Sequence, residues 1–547
     1  MIQPIYMLIL IILMVIIGGV VFQAWRHKKK VRRFLRDGFG KAPTKGYTDK
    51  LESISEYWKA CAKQLPEYRA VDDITWNDLE LDLIFDALNT TYSSVGSEVL
   101  YSRLHRIDSP DLEELIQAIK ADEELRIDIA YYLHGLAKND YNHASDFLFD
   151  PSSQKMAGFK PWQGLLPLVG LAVMPFSFGA GLILTMFSLA FNQWTRSRVN
   201  LRVEHGIDAV RYIANAIHFG GKLANVTETD LPDYADQLRQ IIAPLKKIPS
   251  RLPVRMDPNN PLSGLLMYFN YAILLDFYQY NHALSVLIKH PEAMHQLWEK
   301  IGDAEIALVI ASMDQRLPTV KPTFHEQHSI MAEDIVHPLI ENAVPNPVDF
   351  SRSTLVSGSN ASGKSTYVKA IAISAITAQN LGRSFAKSFS LHRGRVFTSM
   401  AIRDNIYQGD SYFVAEIKSL KRMIDASLEG KPIYLFIDEI LKGTNTIERI
   451  ASSHAMLNFF HQQKVPVIAA THDIELTELQ ADDMTNIHFR EQVSQKEITF
   501  DYQIKQGATQ TTNAINLLKY YDFPSNLTDQ ASQMARDFKQ TRSWSRQ

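Results

Sequence analysis

The chain has 547 residues, with 57 basic and 60 acidic side chains and a formal net charge of −3. This length is too great for one ordinary hydrophobic core and predicts three or more structural units. The near balance of charge excludes a protein that attracts nucleic acid through its whole surface, so any such contact must rest on local patches. The single cysteine, Cys61, excludes an internal disulfide and fits a reducing compartment.

The first 25 residues carry no charged side chain and are followed at once by the basic run RHKKKVRR. A cleaved signal peptide would have its basic residues ahead of the apolar run. We therefore predict an uncleaved transmembrane helix at 1–25, with its amino terminus outside and the rest of the chain in the cytoplasm. This order predicts a location at the cell membrane, with residues 26–33 against anionic lipid head groups. A helix buried in the core is the alternative.

A second uncharged stretch covers residues 161–195 and contains several prolines and glycines. We interpret it as a hydrophobic hairpin or membrane segment, broken near 175–181, because a hairpin keeps both flanks on the same side. A single crossing would separate the flanks. A hydrophobic helix pair outside the membrane is the other alternative.

The two stretches around this segment have helical periodicity, as in LEELIQAIKADEELRIDIAYYL. After LPTVKP the pattern changes to short β-branched runs that alternate with helical segments. That alternation is typical of an α/β domain with a parallel sheet. We therefore predict α-helical domains followed by an α/β domain.

The stretch SGSNASGKST, residues 357–366, has the G-x-x-x-x-G-K-[ST] form of a phosphate-binding loop. A predicted strand, STLVSG, leads into it, and a predicted helix, KSTYVKAIAISAITAQNLG, follows it, which is the context that such a loop requires. Backbone amides of the loop hold phosphates, while Lys364 would pair with the terminal oxygens and Ser365 would hold magnesium. The cofactors predicted are ATP and Mg²⁺.

Polar residues end two later strands of the predicted sheet. Asp438 and Glu439 end the apolar run PIYLFIDE, and His472 follows the run VPVIAAT. Ligands bind at the carboxyl ends of parallel strands. We predict that Asp438 holds Mg²⁺, directly or through water, that Glu439 polarises the attacking water, and that His472 contacts the γ-phosphate. A purely structural histidine is the alternative for His472.

Ser411 stands immediately before an amphipathic segment, YFVAEIKSLKRMI. A serine in this position usually caps a helix. Helix N-termini also bind anions, so Ser411 could meet a phosphate presented by a second subunit.

Together these motifs resemble the ATPase domain of the MutS family, the DNA mismatch repair proteins within the wider ABC ATPase group. The family's motifs are matched by GSNASGKST, SYFVAEI, IDEILKGTNT and AATHD. The segment before the loop, IVHPLIENAVPNPVDF, and the C-terminal segment KQGATQTTNAINLLKYYDFPSNLTDQASQMA resemble further family elements, the second of which helps these ATPases dimerise. A segment near the start, ITWNDLELDLIFDALNTTYSSVGSEVLYSRLH, is similar to the beginning of the family's core domain.

The resemblance implies a role for each matching residue. Nucleotide phosphates would be held by Gly358, Asn360, Gly363, Lys364, Ser365 and Thr366. Ser365 and Asp438 would serve the metal, Glu439 the water, and His472 the γ-phosphate. Ser411 would complete the site of the other subunit, which implies a homodimer.

The resemblance and the changes of pattern along the chain predict a multidomain fold, in which an α-helical core and lever domain is followed by an α/β phosphate-loop ATPase domain of ABC type. The predicted segments are a transmembrane anchor (1–25), a first helical part (26–160), the second hydrophobic segment (161–195), a second helical part (196–320), the ATPase domain (321–505) and a C-terminal helical dimerisation segment (506–547).

Two departures from the family limit what the resemblance implies. Glu448 and Arg449 stand where the family has Asp-Gly, and we expect the protein to lack the family's mismatch-recognition domain. We expect a membrane-tethered, dimeric ATP hydrolase that clamps mismatched or branched DNA without reading its sequence, with RSRVNLRVEH and LKKIPSRLPVR as candidate basic patches. Membrane lipid and repair or recombination proteins are the other expected partners. The alternatives are an ATP-switched membrane scaffold or sensor that acts on a protein or lipid, and a subunit of an ABC transporter.

Overall fold

The computed structural model describes most of the chain. The residues outside the description are 1–3, 44–48, 67–69, 108–109, 156–159, 199–200, 249–268, 271, 360–361, 401–411, 494–497, 510–513, 542 and 545–547.

Two compact units make up the described chain. A helical unit contains residues 1–66, 88–102 and 111–316, and an α/β unit contains residues 67–87, 103–110 and 317–547. The α/β unit thus includes two short pieces from the region with helical periodicity. The first of these pieces contributes a helix that packs on the sheet, as described below.

Besides short 3-10 helices, fourteen α-helices precede the first strand in the described residues. They are α1 (Pro4–Gly38), α2 (Leu51–Ala62), α3 (Asp73–Asp78), α4 (Leu81–Leu88), α5 (Ser94–Leu104), α6 (Glu113–Ala121), α7 (Glu123–Leu136), α8 (Ala144–Phe149), α9 (Leu166–Val173), α10 (Phe178–Ser197), α11 (Leu201–Val226), α12 (Pro232–Ile242), α13 (Leu275–Lys289) and α14 (Pro291–Arg316). In the helical unit, α14 is the central element: its side chains from Met294 to Met313 are mostly buried, and it packs against α6, α11 and α12.

The predicted transmembrane helix is wrong. Of the helices that the structure describes, none combines the length and the apolar character needed to cross a membrane. The apolar and basic runs belong to one continuous helix, α1, whose second half is charged. On that half, Arg32 contacts Glu124 at 2.6 Å and also pairs with Asp128. Arg32 therefore binds acidic residues of α7 instead of the predicted lipid head groups. The prediction of a location at the cell membrane depended on this helix and is also wrong.

The second hydrophobic stretch forms the helices α9 and α10, which pack against each other as an antiparallel pair. A Cβ atom on Gly181 would lie 2.6 Å from the backbone nitrogen of Met174, so glycine permits the close approach of the two helices. Helix α9 has 8 residues and α10 has 20, and neither combines the length and the apolar character needed to cross a membrane. The membrane-segment interpretation of 161–195 is therefore corrected to a pair of packed helices.

The α/β unit contains ten described strands and six further helices. The strands are β1 (Thr323–Phe324), β2 (Ile330–Ile335), β3 (Asn346–Phe350), β4 (Thr354–Ser357), β5 (Ser388–Leu391), β6 (Arg395–Ser399), β7 (Ile433–Asp438), β8 (Val467–Thr471), β9 (Thr485–Val493) and β10 (Ile498–Gln506). The helices are α15 (Lys364–Asn380), α16 (Tyr412–Leu428), α17 (Thr446–Gln462), α18 (Ile474–Leu479), α19 (Ala514–Tyr520) and α20 (Ser525–Thr541).

The larger sheet has the strand order β10-β9-β4-β8-β7-β6. Its strands run parallel except for β10, which pairs antiparallel with β9. Strands β4 and β8 are buried throughout, and β7 is buried up to its last residue, as expected for parallel strands covered on both faces. A smaller mixed sheet has the order β1-β5-β2-β3, and α15 packs against strands of both sheets.

The register of the larger sheet brings three strand ends together. Ala469 on β8 pairs with Leu355 on β4 at one side and with Ile437 on β7 at the other. The residues that follow these positions therefore emerge at one edge of the sheet, which is the edge where parallel sheets bind ligands.

The carboxylates of Asp78 and Asp72 join α3 to the end of β6 and to α16. The Asp78 carboxylate accepts hydrogen bonds from the Thr398 hydroxyl at 2.8 Å and from the Met400 amide at 2.9 Å. Asp72 caps the start of α3 and pairs with Arg422 of α16. These contacts explain why residues 67–87 belong to the α/β unit.

Candidate functional site

The phosphate-binding loop connects β4 to α15 and depends on two glycines with positive φ. Gly358 has φ 143° and Gly363 has φ 105°, conformations that other residues rarely adopt. A Cβ atom on Gly358 would also lie 2.7 Å from the carbonyl oxygen of Phe489. The local conformation and the neighbouring strand thus both require glycine at position 358.

Lys364, the first residue of α15, is buried and its ammonium group points back into the loop. Its Nζ atom donates to the carbonyl oxygens of Gly358 and Ser359, each at 2.8 Å, and lies 3.4 Å from Nε2 of His472. The hydroxyl of Ser362 is buried and has no hydrogen-bond partner among the described residues. An ammonium group and an unsatisfied hydroxyl in one loop fit the binding of phosphate oxygens.

Ser365 and Asp438 form the part of the site that fits a metal. The Ser365 hydroxyl donates to Oδ2 of Asp438 at 2.6 Å. Within the described residues, no group of three or more His, Cys, Asp or Glu side chains could hold a metal ion. Mg²⁺ commonly takes only one or two protein oxygens and completes its shell with phosphates and water. The pair of oxygen ligands therefore fits Mg²⁺ that arrives with a nucleotide.

Glu439 occupies a strained position at the end of β7. Its φ is 66°, and its amide donates to the Ala470 carbonyl of β8 at 2.9 Å. Its carboxylate contacts Nε2 of His472 at 3.0 Å and Nζ of Lys442 at 3.1 Å. Burial alone would raise the pKa of Glu439, but these two partners outweigh it and lower the pKa to about 2. Glu439 is therefore held as a carboxylate.

Glu416, on α16, fixes the loop that follows Glu439. One of its carboxylate oxygens accepts a hydrogen bond from the Lys442 amide at 3.0 Å. Burial raises the pKa of Glu416, while the backbone amides of Lys442, Gly443 and Leu441 oppose this rise by donating to the carboxylate. The glutamate of the motif SYFVAEI thus holds the loop after the acidic strand.

Lys364, Ser365, Asp438, Glu439 and His472 line one cavity of about 630 Å³. Apolar and aromatic side chains also line it, among them Phe489 and Tyr502. The Tyr502 ring lies beside the loop, because a Cβ atom on Gly363 would be 3.2 Å from Cδ1 of Tyr502. The Asn346 side chain donates to the Tyr502 carbonyl at 2.9 Å. The cavity thus combines polar groups that suit phosphates with aromatic side chains that suit a flat ring.

His337 also lines the cavity. Burial is the main cause that lowers the pKa of His337 to about 4, with a further contribution from Lys369. The imidazole is therefore neutral near neutral pH and adds no charge to the cavity.

The structure brings eight of the predicted site residues to this place. They are Gly358, Gly363, Lys364, Ser365, Thr366, Asp438, Glu439 and His472. Asn360 and Ser411 lie outside the described residues. Sequence reasoning missed Tyr502, which stands in no pattern that marks it. It quoted Lys442 within IDEILKGTNT and Glu416 within SYFVAEI without assigning either a role.

Comparison with known proteins agrees with this geometry. Residues 354–539 match the family model described as MutS domain V. The chain is 28% identical over 270 residues to the DNA mismatch repair protein MutS of Staphylococcus epidermidis, which covers 47% of this chain and 30% of that protein. It is 25% identical over 370 residues to the DNA mismatch repair protein msh3 of Aspergillus fumigatus, which covers 62% of this chain and 32% of that protein.

The chain thus spans about a third of the length of these curated relatives. The matched family segment starts at β4 and contains the phosphate-binding loop, Asp438, Glu439 and His472. Residues 354–539 are thus similar to MutS domain V.

Proposed function

We propose that this chain is a MutS-type ATPase that hydrolyses ATP as a homodimer and uses the nucleotide to close on DNA. The observation that carries the proposal is the convergence of Lys364, Ser365, Asp438, Glu439 and His472 on one cavity. Three parallel strand ends supply these side chains, and each has the chemistry that one part of a bound Mg²⁺–ATP requires.

In the cavity, Lys364 would exchange its hydrogen bonds to two loop carbonyls for hydrogen bonds to phosphate oxygens. Ser365 and Asp438 would hold Mg²⁺, which neutralises charge on the phosphates when it is bound. A carboxylate with a pKa of about 2 accepts a proton poorly near neutral pH. We therefore assign Glu439 to orienting the attacking water, and His472 to donating a hydrogen bond toward the terminal phosphate.

Among the aromatic residues of the lining, Tyr502 would stack on the nucleobase. Tyr502 is 43% exposed, and its ring lies 5.8 Å from that of Phe500. Stacking on an aromatic ring contributes about 1–3 kcal/mol per base. Tyr502 would thus hold the base while the loop holds the phosphates.

A second copy of the chain is the proposed partner of the ATPase site. Ser411, which precedes α16, would complete the partner's site, as the resemblance implies. The C-terminal helices support this arrangement, because Tyr521, Phe523 and Leu527 are 70%, 47% and 43% exposed. Exposed apolar side chains grouped in this way are typical of an interaction surface.

DNA is the proposed ligand of the dimer, since both relatives reported above are named DNA mismatch repair proteins. The two basic patches predicted from the sequence lie partly outside the described residues. Contacts with the phosphate backbone would bind mismatched or branched DNA without reading sequence.

The test is DNA binding by the purified full chain across a salt series, with and without Mg²⁺–ATP, using homoduplex, mismatched and four-way-junction DNA. We expect ATP to change the affinity and salt to weaken it steeply, because DNA contacts release counterions. Hydrolysis of ATP without DNA binding at low salt would refute the DNA part and favour another partner. Absence of ATP binding would refute the whole proposal.

A further inference from the structure

Arg449 and Asp473 form a two-point ion pair beside the candidate catalytic residues. Nε of Arg449 donates to Oδ2 of Asp473 at 2.9 Å, and Nη2 donates to Oδ1 at 2.6 Å. Their side chains are only 24% and 15% exposed, which separates this pair from ordinary surface ion pairs. Because two parallel hydrogen bonds fix both distance and orientation, such a pair can position the segments that carry it.

The pair joins two segments that each carry part of the site. Arg449 lies in the first turn of α17, which Asn445 caps by accepting from the Glu448 amide at 3.0 Å. Asp473 comes directly after His472, and its amide donates to the Thr471 hydroxyl at 3.0 Å. The start of α17 is thus tied to the short segment that follows β8.

The same two segments meet a second time at the site. Oε1 of Glu439, at the start of the connection from β7 to α17, lies 3.0 Å from Nε2 of His472. A closed ring therefore runs from Glu439 through the connection to Arg449, across to Asp473, and back through His472. The contact between Glu439 and His472 must change when a nucleotide and water enter, whereas the Arg449–Asp473 pair lies outside the cavity and can persist.

We propose that Arg449 is a positioning residue for ATP hydrolysis, which sets the place of His472 by holding Asp473. This inference rests on the proposed ATPase function. Arg449 is one of the two residues at which the sequence departs from the Asp-Gly of the family pattern, and the ion pair gives that departure a physical role. The carboxylate of Glu448, the other one, accepts a hydrogen bond from the Thr444 hydroxyl at 3.2 Å.

Steady-state ATP hydrolysis and ATP binding by the full chain test the inference. We expect Arg449→Gln and Asp473→Asn each to lower kcat about tenfold, because small displacements of a catalytic group are costly. The dissociation constant of ATP should change less than about twofold, since neither side chain lines the cavity. The double variant should be no slower than either single variant, because both remove the same contact. Arg449→Lys should recover part of the rate.

A control variant removes an ion pair elsewhere in the same unit. Arg395→Gln breaks a contact with Glu429 at 3.4 Å and should leave kcat unchanged. Wild-type hydrolysis together with an unchanged kcat in Arg449→Gln would overturn the inference and leave the ATPase proposal intact. Additive losses in the double variant would also overturn it, since they would mean that the two residues act separately. Failure of the wild type to hydrolyse ATP would overturn both.

Discussion

The hydroxyl of Ser365 and the carboxylate of Asp438 are joined by a hydrogen bond of 2.6 Å, although 73 positions separate them in the chain. Ser365 belongs to the first turn of α15 and Asp438 is the last residue of β7. The two oxygens meet because β4 and β7 are both neighbours of β8 in the sheet. They form the proposed magnesium site, and its test is direct.

Ser365→Ala should raise the Mg²⁺ concentration for half-maximal ATP hydrolysis by about tenfold or more, because one oxygen ligand is lost. The measurement is a Mg²⁺ titration of hydrolysis at saturating ATP. Binding of ATP in the presence of EDTA is the control and should be nearly unchanged. Equal Mg²⁺ dependence in the variant and the wild type would contradict the metal assignment.

Lys364→Ala should weaken ATP binding on the order of 100-fold, because the charge-assisted hydrogen bonds to phosphate are lost. Binding of a fluorescent ATP analogue measures the effect. Lys387→Ala is the control: Lys387 is exposed and contacts Glu333 at 3.7 Å, and neither residue lines the cavity. If both variants bound ATP as the wild type does, the phosphate site would be wrongly assigned.

Glu439→Gln should bind ATP normally and lower kcat about 100-fold, because an amide orients the attacking water poorly. The ATP-bound variant should accumulate as a dimer, which light scattering would detect. Glu448→Gln provides the control, since Glu448 is exposed on the first turn of α17 and lies outside the cavity lining. Normal turnover by Glu439→Gln would remove Glu439 from the mechanism.

Tyr502→Ala should weaken ATP binding about tenfold or more through the loss of base stacking. Inorganic tripolyphosphate should bind the variant and the wild type alike, because it has no base to stack. Tyr502→Phe retains the ring and should bind ATP normally. Equal weakening of ATP and tripolyphosphate would show that Tyr502 acts on the loop instead of on the base.

The helical unit should lose stability as pH rises from about 5 to 8. Burial is the main cause that raises the pKa of Glu98 to about 8, against hydrogen bonds from Asn142 and Trp298. Between its unfolded pKa of 4.5 and this folded value, the folded state binds the additional proton. The resulting stability is fully present below the unfolded pKa and is lost as pH rises through the folded one.

Glu98→Gln should reduce this loss, on the order of 2 kcal/mol, even though the variant is less stable overall. Urea unfolding of the full chain at pH 5, 6.5 and 8, followed by tryptophan fluorescence, measures the effect. Glu114→Gln, at an exposed position on α6, is the control and should retain the wild-type pH dependence. An identical pH dependence in Glu98→Gln would contradict a proton on Glu98.

Local sequence patterns predict where the strands end, but they do not predict which distant residues contact each element. The glycine spacing and the apolar runs are sufficient to place Lys364 after a strand and Asp438 at the end of another, because both features depend on neighbouring residues only. The amino-terminal membrane helix is also a prediction from local patterns, and it is wrong. The basic run after the apolar one predicts contacts with lipid head groups, whereas in the structure Arg32 of this run pairs with Glu124 and Asp128 of α7, which no local pattern shows.

The sequence by itself determined the phosphate-binding loop, the residue types at the strand ends and the relationship to MutS domain V. Only the tertiary structure decided which of these residues meet: His472 reaches Glu439 because β8 lies beside β7, and Tyr502 reaches the cavity because β10 folds back on β9. It also paired Arg449 with Asp473 across two connections. The physical reason is that strand order and side-chain partners arise from contacts between residues distant in the chain, which local periodicity and spacing do not specify.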